Sequence, residues 1–304
     1  MGVLRMGYVH ARVTDLEKAK QHYGDTLGLY PVLTEDGTAY FKGWDEWDHH
    51  SVVLEEGGVG VAKFGFKVAD PTDIEHFEDR AARFGCVVSR MSAGENREVS
   101  DGIRIVLPSE HLVELYHDMA MLGTEVGTHN PEVFPRHLVG IGAPRLDHAL
   151  ITADDVNLTE RFFREVLDFY PSERLATSLD ADADCIGTWM TVGNTVHDIA
   201  ILKGPNTKLH HFAFELSSWN DILRAGDLMA MDDVPVDVGP ARHGITRGQT
   251  IYFFDPSGNR NEVFSGGYVT YPDRPCVTWT PDRLEKGVFY ISREVNDRFT
   301  AALT

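Results

Sequence analysis

Tyr8-Val9-His10-Ala11-Arg12-Val13-Thr14-Asp15 returns 140 residues later as His148-Ala149-Leu150-Ile151-Thr152-Ala153-Asp154-Asp155. The same offset carries through Leu16/Val156, Tyr23/Phe163, Leu27/Leu167, Leu29/Phe169 and Tyr30/Tyr170. One match at a fixed spacing is chance, but a run of them is duplication, and a duplicated unit governs the reading of everything else. Each copy opens with a short apolar strand and passes into a helix. In the first copy Leu16, Ala19, Tyr23 and Leu27 recur at the three-to-four spacing of one buried face, and Thr14 with Glu17 makes a capping-box start.

Working outward, Lys63-Phe64-Gly65-Phe66-Lys67-Val68 matches His211-Phe212-Ala213-Phe214-Glu215-Leu216, and both read as strands. Leu107-Pro108-Ser109 with Glu114-Leu115-Tyr116 matches Asp255-Pro256-Ser257-Gly258 with Glu262-Val263-Phe264, each a strand, a Pro-containing turn and a strand. Strands separated by turn-length gaps predict α+β modules with curved, antiparallel-rich sheets, and no phosphate-cradling glycine motif favours a doubly wound parallel sheet. The Pro- and Gly-bearing stretch from Val133 to Pro144 places the boundary between modules 1–135 and 136–304. Beyond about residue 268 the repeat ends. Tyr271 to Pro281 reads as an extended tail, followed by a helix with Leu284, Val288, Ile291, Val295 and Phe299 on its apolar face.

Composition bounds the function. With 47 acidic against 28 basic residues the net charge of the 304-residue chain is −19, which repels nucleic-acid phosphates and anionic lipid. With 42% hydrophobic and 25% charged residues it is an ordinary globular composition, and the length suits about two domains. No apolar run approaches the roughly 18 residues of a spanning helix, and Met1-Gly2-Val3-Leu4-Arg5-Met6 lacks a signal-peptide core. Cys86, Cys185 and Cys276 are far apart and form no C-x-x-C pair, so a reducing cytoplasm is expected.

Duplicated modules keep the scaffold, so chemistry is sought where the copies differ. Tyr8 aligns with His148, Lys63 with His211 and Glu114 with Glu262. The second copy therefore offers two imidazoles and a carboxylate on three strands, the facial set that holds Fe(II) and leaves adjacent positions open. Those donors by themselves suit manganese or zinc as well. The first copy, with a lysine in the set, is expected to be metal-free.

The segment His243-Gly244-Ile245-Thr246-Arg247-Gly248-Gln249-Thr250-Ile251-Tyr252-Phe253-Phe254-Asp255-Pro256-Ser257-Gly258-Asn259-Arg260-Asn261-Glu262 resembles the signature of type I extradiol ring-cleavage dioxygenases, with Ala241 a small departure at its first position. The likeness extends to Leu146-Asp147-His148-Ala149-Leu150, Leu209-His210-His211 and Pro275-Cys276-Val277-Thr278-Trp279-Thr280, and so covers nearly the whole chain. It is nearest to the catechol-cleaving members. The resemblance implies a vicinal-oxygen-chelate fold, two tandem modules each of paired βαβββ units forming an open barrel. It implies Fe(II) on His148, His211 and Glu262, with His210 the adjacent residue that strand alternation sends to the opposite face. It further implies an acid-base role for His197 beside the O₂ site, substrate-holding roles for His243 and Tyr252, and an apolar ring pocket lined by Ile245 and Phe299.

The activity so implied is extradiol (meta) cleavage of catechol and substituted catechols by O₂, giving 2-hydroxymuconate semialdehyde-type products, in a homo-oligomer, commonly a tetramer. Two other readings stand beside it. A carboxylated or larger catechol of the homoprotocatechuate or dihydroxybiphenyl type would, if carboxylated, want a basic pocket residue, for which Arg242 and Arg247 are available. A glyoxalase-like metal isomerase shares the fold.

Overall fold

The computed structural model describes residues 2–304. The first half runs β1 (Val3–Val13), α1 (Leu16–Gln21), β2 (Tyr30–Glu35), β3 (Thr38–Lys42) and β4 (Val52–Glu56), then β5 (Gly60–Val68), α2 (Pro71–Phe84), β6 (Val88–Met91), β7 (Gly102–Val106) and β8 (Leu112–Tyr116). These are two βαβββ units. Their strands join in one sheet of order β2-β3-β4-β1-β5-β8-β7-β6, with β1 and β5 pairing antiparallel at the seam.

The second half repeats the plan. It runs β9 (Arg145–Ala153), α3 (Val156–Glu165), β10 (Tyr170–Ala176), β11 (Cys185–Thr191) and β12 (Ile199–Lys203), then β13 (Leu209–Glu215), α4 (Trp219–Met231), β14 (Val236–Arg242), β15 (Gly248–Phe254) and β16 (Arg260–Gly266). Here β9 and β13 form the antiparallel seam, flanked by parallel β12 and β16. Parallel pairs occur at the same places in both sheets, as duplication requires. The connection from β8 to β9 carries no helix or strand and is held against the first helix by Ile141 N–H donating to Thr26 O at 2.8 Å and Gly142 N–H to Leu27 O at 3.1 Å. A Cβ on Gly140 would fall 2.1 Å from the Asp25 carbonyl oxygen, so only glycine passes there.

The expected apolar face is present: Leu16, Ala19, Tyr23 and Leu27 are all buried. Its cap is one residue later than the sequence suggests. Asp15 accepts from the Lys18 N–H, while the Thr14 N–H donates to Ser257 of the second half. After Gln21 the helix widens into a π-helical turn, His22–Thr26. This turn sets His22 Nε2 at 3.0 Å from Asn261 Oδ1 and the Tyr23 hydroxyl at 3.0 Å from Asp255. Phe66 meets Phe169 and Phe84 meets Phe162 edge to face, so one apolar core runs through both halves. Truncating fully buried Phe66 or Phe162 costs about 3–5 kcal/mol.

The C-terminal region departs from expectation. The tail supplies a strand, β17 (Val277–Trp279), parallel to β10. The single helix expected after Pro281 is instead a 3₁₀ turn (Pro281–Arg283), α5 (Leu284–Val288) and, after a break, α6 (Asp297–Ala301). The reason is tertiary. The Gly287 carbonyl, which a continuing helix would need, accepts from Gly244 N–H and Ile245 N–H, and the Val288 carbonyl accepts from His243. Ile291 is consequently exposed, while Leu284, Val288, Val295 and Phe299 still face the second module.

In the first module His50 is buried beside His49, and burial, with the neighbouring ring, pushes its pKa down to about 3. The unfolded chain takes up this proton below about 6.5 and the folded chain does not, so acid favours unfolding. We expect His50 to cost about 2 kcal/mol of stability between pH 7 and pH 5. Urea titrations of His50→Asn should show a pH dependence shallower by that amount, and an unchanged slope would contradict the assignment.

Candidate metal centre and active site

The seam strands bring the two histidines together. His148 on β9 and His211 on β13 lie on adjacent strands, with His211 opposite Leu150, and β16 places Glu262 beside Ala213 on the other flank of β13. His211 Nε2 is 3.0 Å and His148 Nε2 3.1 Å from Glu262 Oε2, and the two Nε2 atoms are 3.4 Å apart. A divalent ion about 2.1 Å from three donors set at roughly right angles spaces those donors about 3.0 Å apart. The donor triangle therefore fits such an ion, and all three residues are buried.

The outer nitrogens are also engaged. His148 Nδ1 is 2.6 Å from Asp147 Oδ2, the carboxylate-backed arrangement that orients a metal-binding imidazole. Burial opposes charge on His148, but hydrogen bonds to Asp147 and Glu262 outweigh it and raise its pKa to about 9. Burial pushes His211 down to about 4 against the pull of Glu262. For Glu262 burial works upward, yet His211, His148 and His243 hold the carboxyl well below its usual range. The carboxylate also accepts from the Thr250 hydroxyl.

Tyr252 lies opposite Glu262 in the β15–β16 register. Its hydroxyl is 2.9 Å from His243 Nε2, and His243 Nδ1 meets the Val288 carbonyl. Because a carbonyl only accepts, His243 carries a hydrogen on Nδ1, and in the neutral ring Nε2 then receives the Tyr252 O–H. The tyrosine oxygen keeps lone pairs toward the cavity. The His197 ring, just before β12, lies 3.9 Å from the His148 ring, and burial together with His148 holds its pKa well below the ordinary value. The cavity measures about 240 Å³, and its wall away from the polar floor is apolar, with Leu150, Leu175, Trp189 and Ile245 prominent.

Every residue expected to hold the metal, the catechol or O₂, namely His148, His197, His211, His243, Ile245, Tyr252, Glu262 and Phe299, lines this one cavity, whereas Arg242 and Arg247 do not. His210 lines it as well, which corrects the expectation that alternation turns it away. Leu209 pairs with Ile151 and His211 with Leu150, so a β-bulge at His210 spends two residues against one and keeps both rings on the same side. Asp147 and Thr250 were not singled out. Their signals were present: a carboxylate adjoining a ligand-type histidine, and a hydroxyl two residues before Tyr252, on the same face of its strand.

The equivalent place in the first module is filled differently. Glu114, fully buried, accepts from Lys63 at 3.1 Å, Arg104 at 2.5 Å and Asn96 at 2.8 Å, and from the Tyr8 hydroxyl. Its charge is met by the chain's own cations. Glu262 is surrounded by imidazoles and hydroxyls, a setting in which a buried carboxylate calls for a cation.

Paired βαβββ units around a buried two-histidine, one-carboxylate set define the vicinal-oxygen-chelate class of protein. Residues 145–263 match the model of the Glyoxalase/Bleomycin resistance protein/Dioxygenase superfamily, and residues 63–120 that of the Catechol 2,3-dioxygenase-like N-terminal domain. Among curated relatives, metapyrocatechase from Pseudomonas sp. (strain CF600) is 42% identical over 100% of this chain and 99% of its own length. A manganese-dependent 2,3-dihydroxybiphenyl 1,2-dioxygenase from Geobacillus genomosp. 3 is 29% identical over 96% of this chain and 95% of its own. The crystal structure of the 2,3-dioxygenase LapB from Pseudomonas sp. KL28 superposes with a TM-score of 0.89 at 42% identity, covering 93% of this chain and 99% of that one. The chain belongs to the extradiol ring-cleavage dioxygenases, which are metal-dependent enzymes.

Proposed function

We infer that the chain cleaves catechol and small uncharged catechols with O₂ beside the hydroxyl pair, using Fe(II) held by His148, His211 and Glu262. The observation that carries this reading is the donor triangle at the floor of a cavity whose remaining wall is mostly apolar. When bound, the iron acidifies a coordinated hydroxyl and supplies the redox path between ring and O₂. The chain's own residues do the rest. Tyr252, its hydrogen committed to His243, accepts a hydrogen bond from a substrate hydroxyl. His197, neutral and desolvated, holds and returns a proton as bonds to oxygen break. Phe299, edge-on to Tyr252 with ring centroids 4.9 Å apart, closes the cavity against water.

Uncharged substrates are favoured because, among the described residues, no free cation faces the ring space. Arg242 donates to the Arg247 carbonyl, Arg247 lies over Tyr268, and neither guanidinium lines the cavity. Lys203 does line it, but its ammonium bonds Asp154. The three cysteines are unpaired, which suits a cytoplasmic enzyme.

Protein loaded anaerobically with Fe(II) and mixed with catechol in air should turn yellow and take up one O₂ per ring. Absence of colour and uptake with catechol and methylcatechols would sink the assignment. His211→Ala should lose both iron and activity, and a variant that keeps one iron per chain would refute the ligand set. His197→Phe should keep its iron while kcat falls by about 10²–10⁴. In a substrate panel, catechol should exceed homoprotocatechuate in kcat/KM by at least about tenfold, the scale on which an unpaired buried charge discriminates; the reverse order would require a basic group in the pocket.

A further inference from the structure

His210 and His211 are sequence neighbours whose Nδ1 atoms stand 2.6 Å apart. Between two ring nitrogens at that distance one donates and the other accepts. Which does which is decided further out, where His210 Nε2 lies 2.8 Å from the carbonyl oxygen of Phe299 in α6. That oxygen has lone pairs only, so His210 carries its hydrogen on Nε2, and the neutral ring turns a bare Nδ1 toward His211. The hydrogen between the rings then belongs to His211 Nδ1. His211 Nε2 is left unprotonated where it faces Glu262 and His148, as a metal ligand requires.

The carbonyl at the start of this chain is well anchored. Arg260, buried two residues before Glu262, donates to the carbonyls of His210 at 3.3 Å, Ala302 at 2.9 Å and Arg298 at 3.2 Å, and pairs with Asp237. Leu209 and Thr304 exchange two backbone hydrogen bonds, at 2.8 and 3.0 Å. The C-terminal segment is thus tied to the strand that carries His211.

We propose that His210 is a positioning residue through which the docked C-terminal segment prepares the metal ligand: the Phe299 carbonyl fixes the tautomer of His210, and His210 fixes that of His211. The proposal rests on His211 being a ligand. Outer partners of metal-bound imidazoles typically change metal affinity by about 10–100-fold. His148 has a carboxylate in this role, and His211 has a neutral ring instead.

The test is the Kd for Fe(II), and separately Mn(II), measured on the full chain by chelator competition under argon. His210→Phe keeps a planar ring but removes the acceptor, and should weaken binding about 10–100-fold. His210→Asn puts an amide oxygen near the Nδ1 position and should stay within about threefold of wild type, since outer-shell losses begin near tenfold. If unfolding of the metal-free Phe variant shows a damaged fold, His210→Leu replaces it, with the same loss expected. Wild-type affinity in the Phe or Leu variant overturns the proposal. So does an equal loss in all variants, which would mean His210 only fills space. Absence of metal binding by the wild-type chain would instead overturn the ligand assignment itself.

Discussion

The antiparallel pairing of β9 with β13 is the contact that the candidate metal centre cannot do without. It sets the histidines of two units side by side, and parallel β16, hydrogen-bonded to β13, adds the carboxylate from the other flank. Three strands far apart in sequence thereby deliver three donors within 3.4 Å of one another. A single-residue slip in this seam would turn the donor side chains to the opposite face. The register is kept by what packs beneath it, since Ala149, Ile151, Phe212 and Phe214 are all buried in the common core.

The same seam exists in the first module as β1 with β5, and the two halves therefore compare one scaffold under two electrostatic solutions. Both place a fully desolvated glutamate on the last strand of the unit. Glu114 has a lysine, an arginine, an amide and a phenol around it, and its lone pairs are spent. At Glu262 imidazoles and hydroxyls stand instead, with Tyr252 at the register position of Arg104, and the imidazoles have lone pairs of their own to offer. Having His211 where the first module has Lys63 thus does two things at once: it removes one internal counter-ion and offers a lone pair to an external cation.

The repeat made the βαβββ order legible because apolar spacing is local, and the three differing positions were legible because duplication supplies its own comparison. What escaped was whatever depends on a distant partner. His210 was assigned by alternation to the opposite face, and the bulge opposite Leu150 and Ile151 reverses that. The helix expected from Pro281 through Phe299 has the right apolar spacing. It fails because backbone carbonyls at its middle are claimed by Gly244, Ile245 and His243. Asp15 and not Thr14 caps the first helix, and both the backbone N–H and the hydroxyl of Thr14 are used across the module boundary. No local pattern records those claims.

Those claimed carbonyls also widen the candidate site beyond the repeated strands. A histidine in an apolar cavity has two tautomers, and the choice between them is set by whatever its outer nitrogen meets. For His148 the outer partner is a side chain next door, Asp147. For His243 it is the backbone of α5 at Val288, and for His210 the backbone of α6 at Phe299. A backbone carbonyl cannot titrate or rotate into a donor, so it gives a fixed polarity that a side chain would not. The residues after Trp279 therefore do more than cover the barrel with Leu284, Val288 and Phe299. They also supply the two backbone carbonyls that the outer nitrogens of His243 and His210 meet.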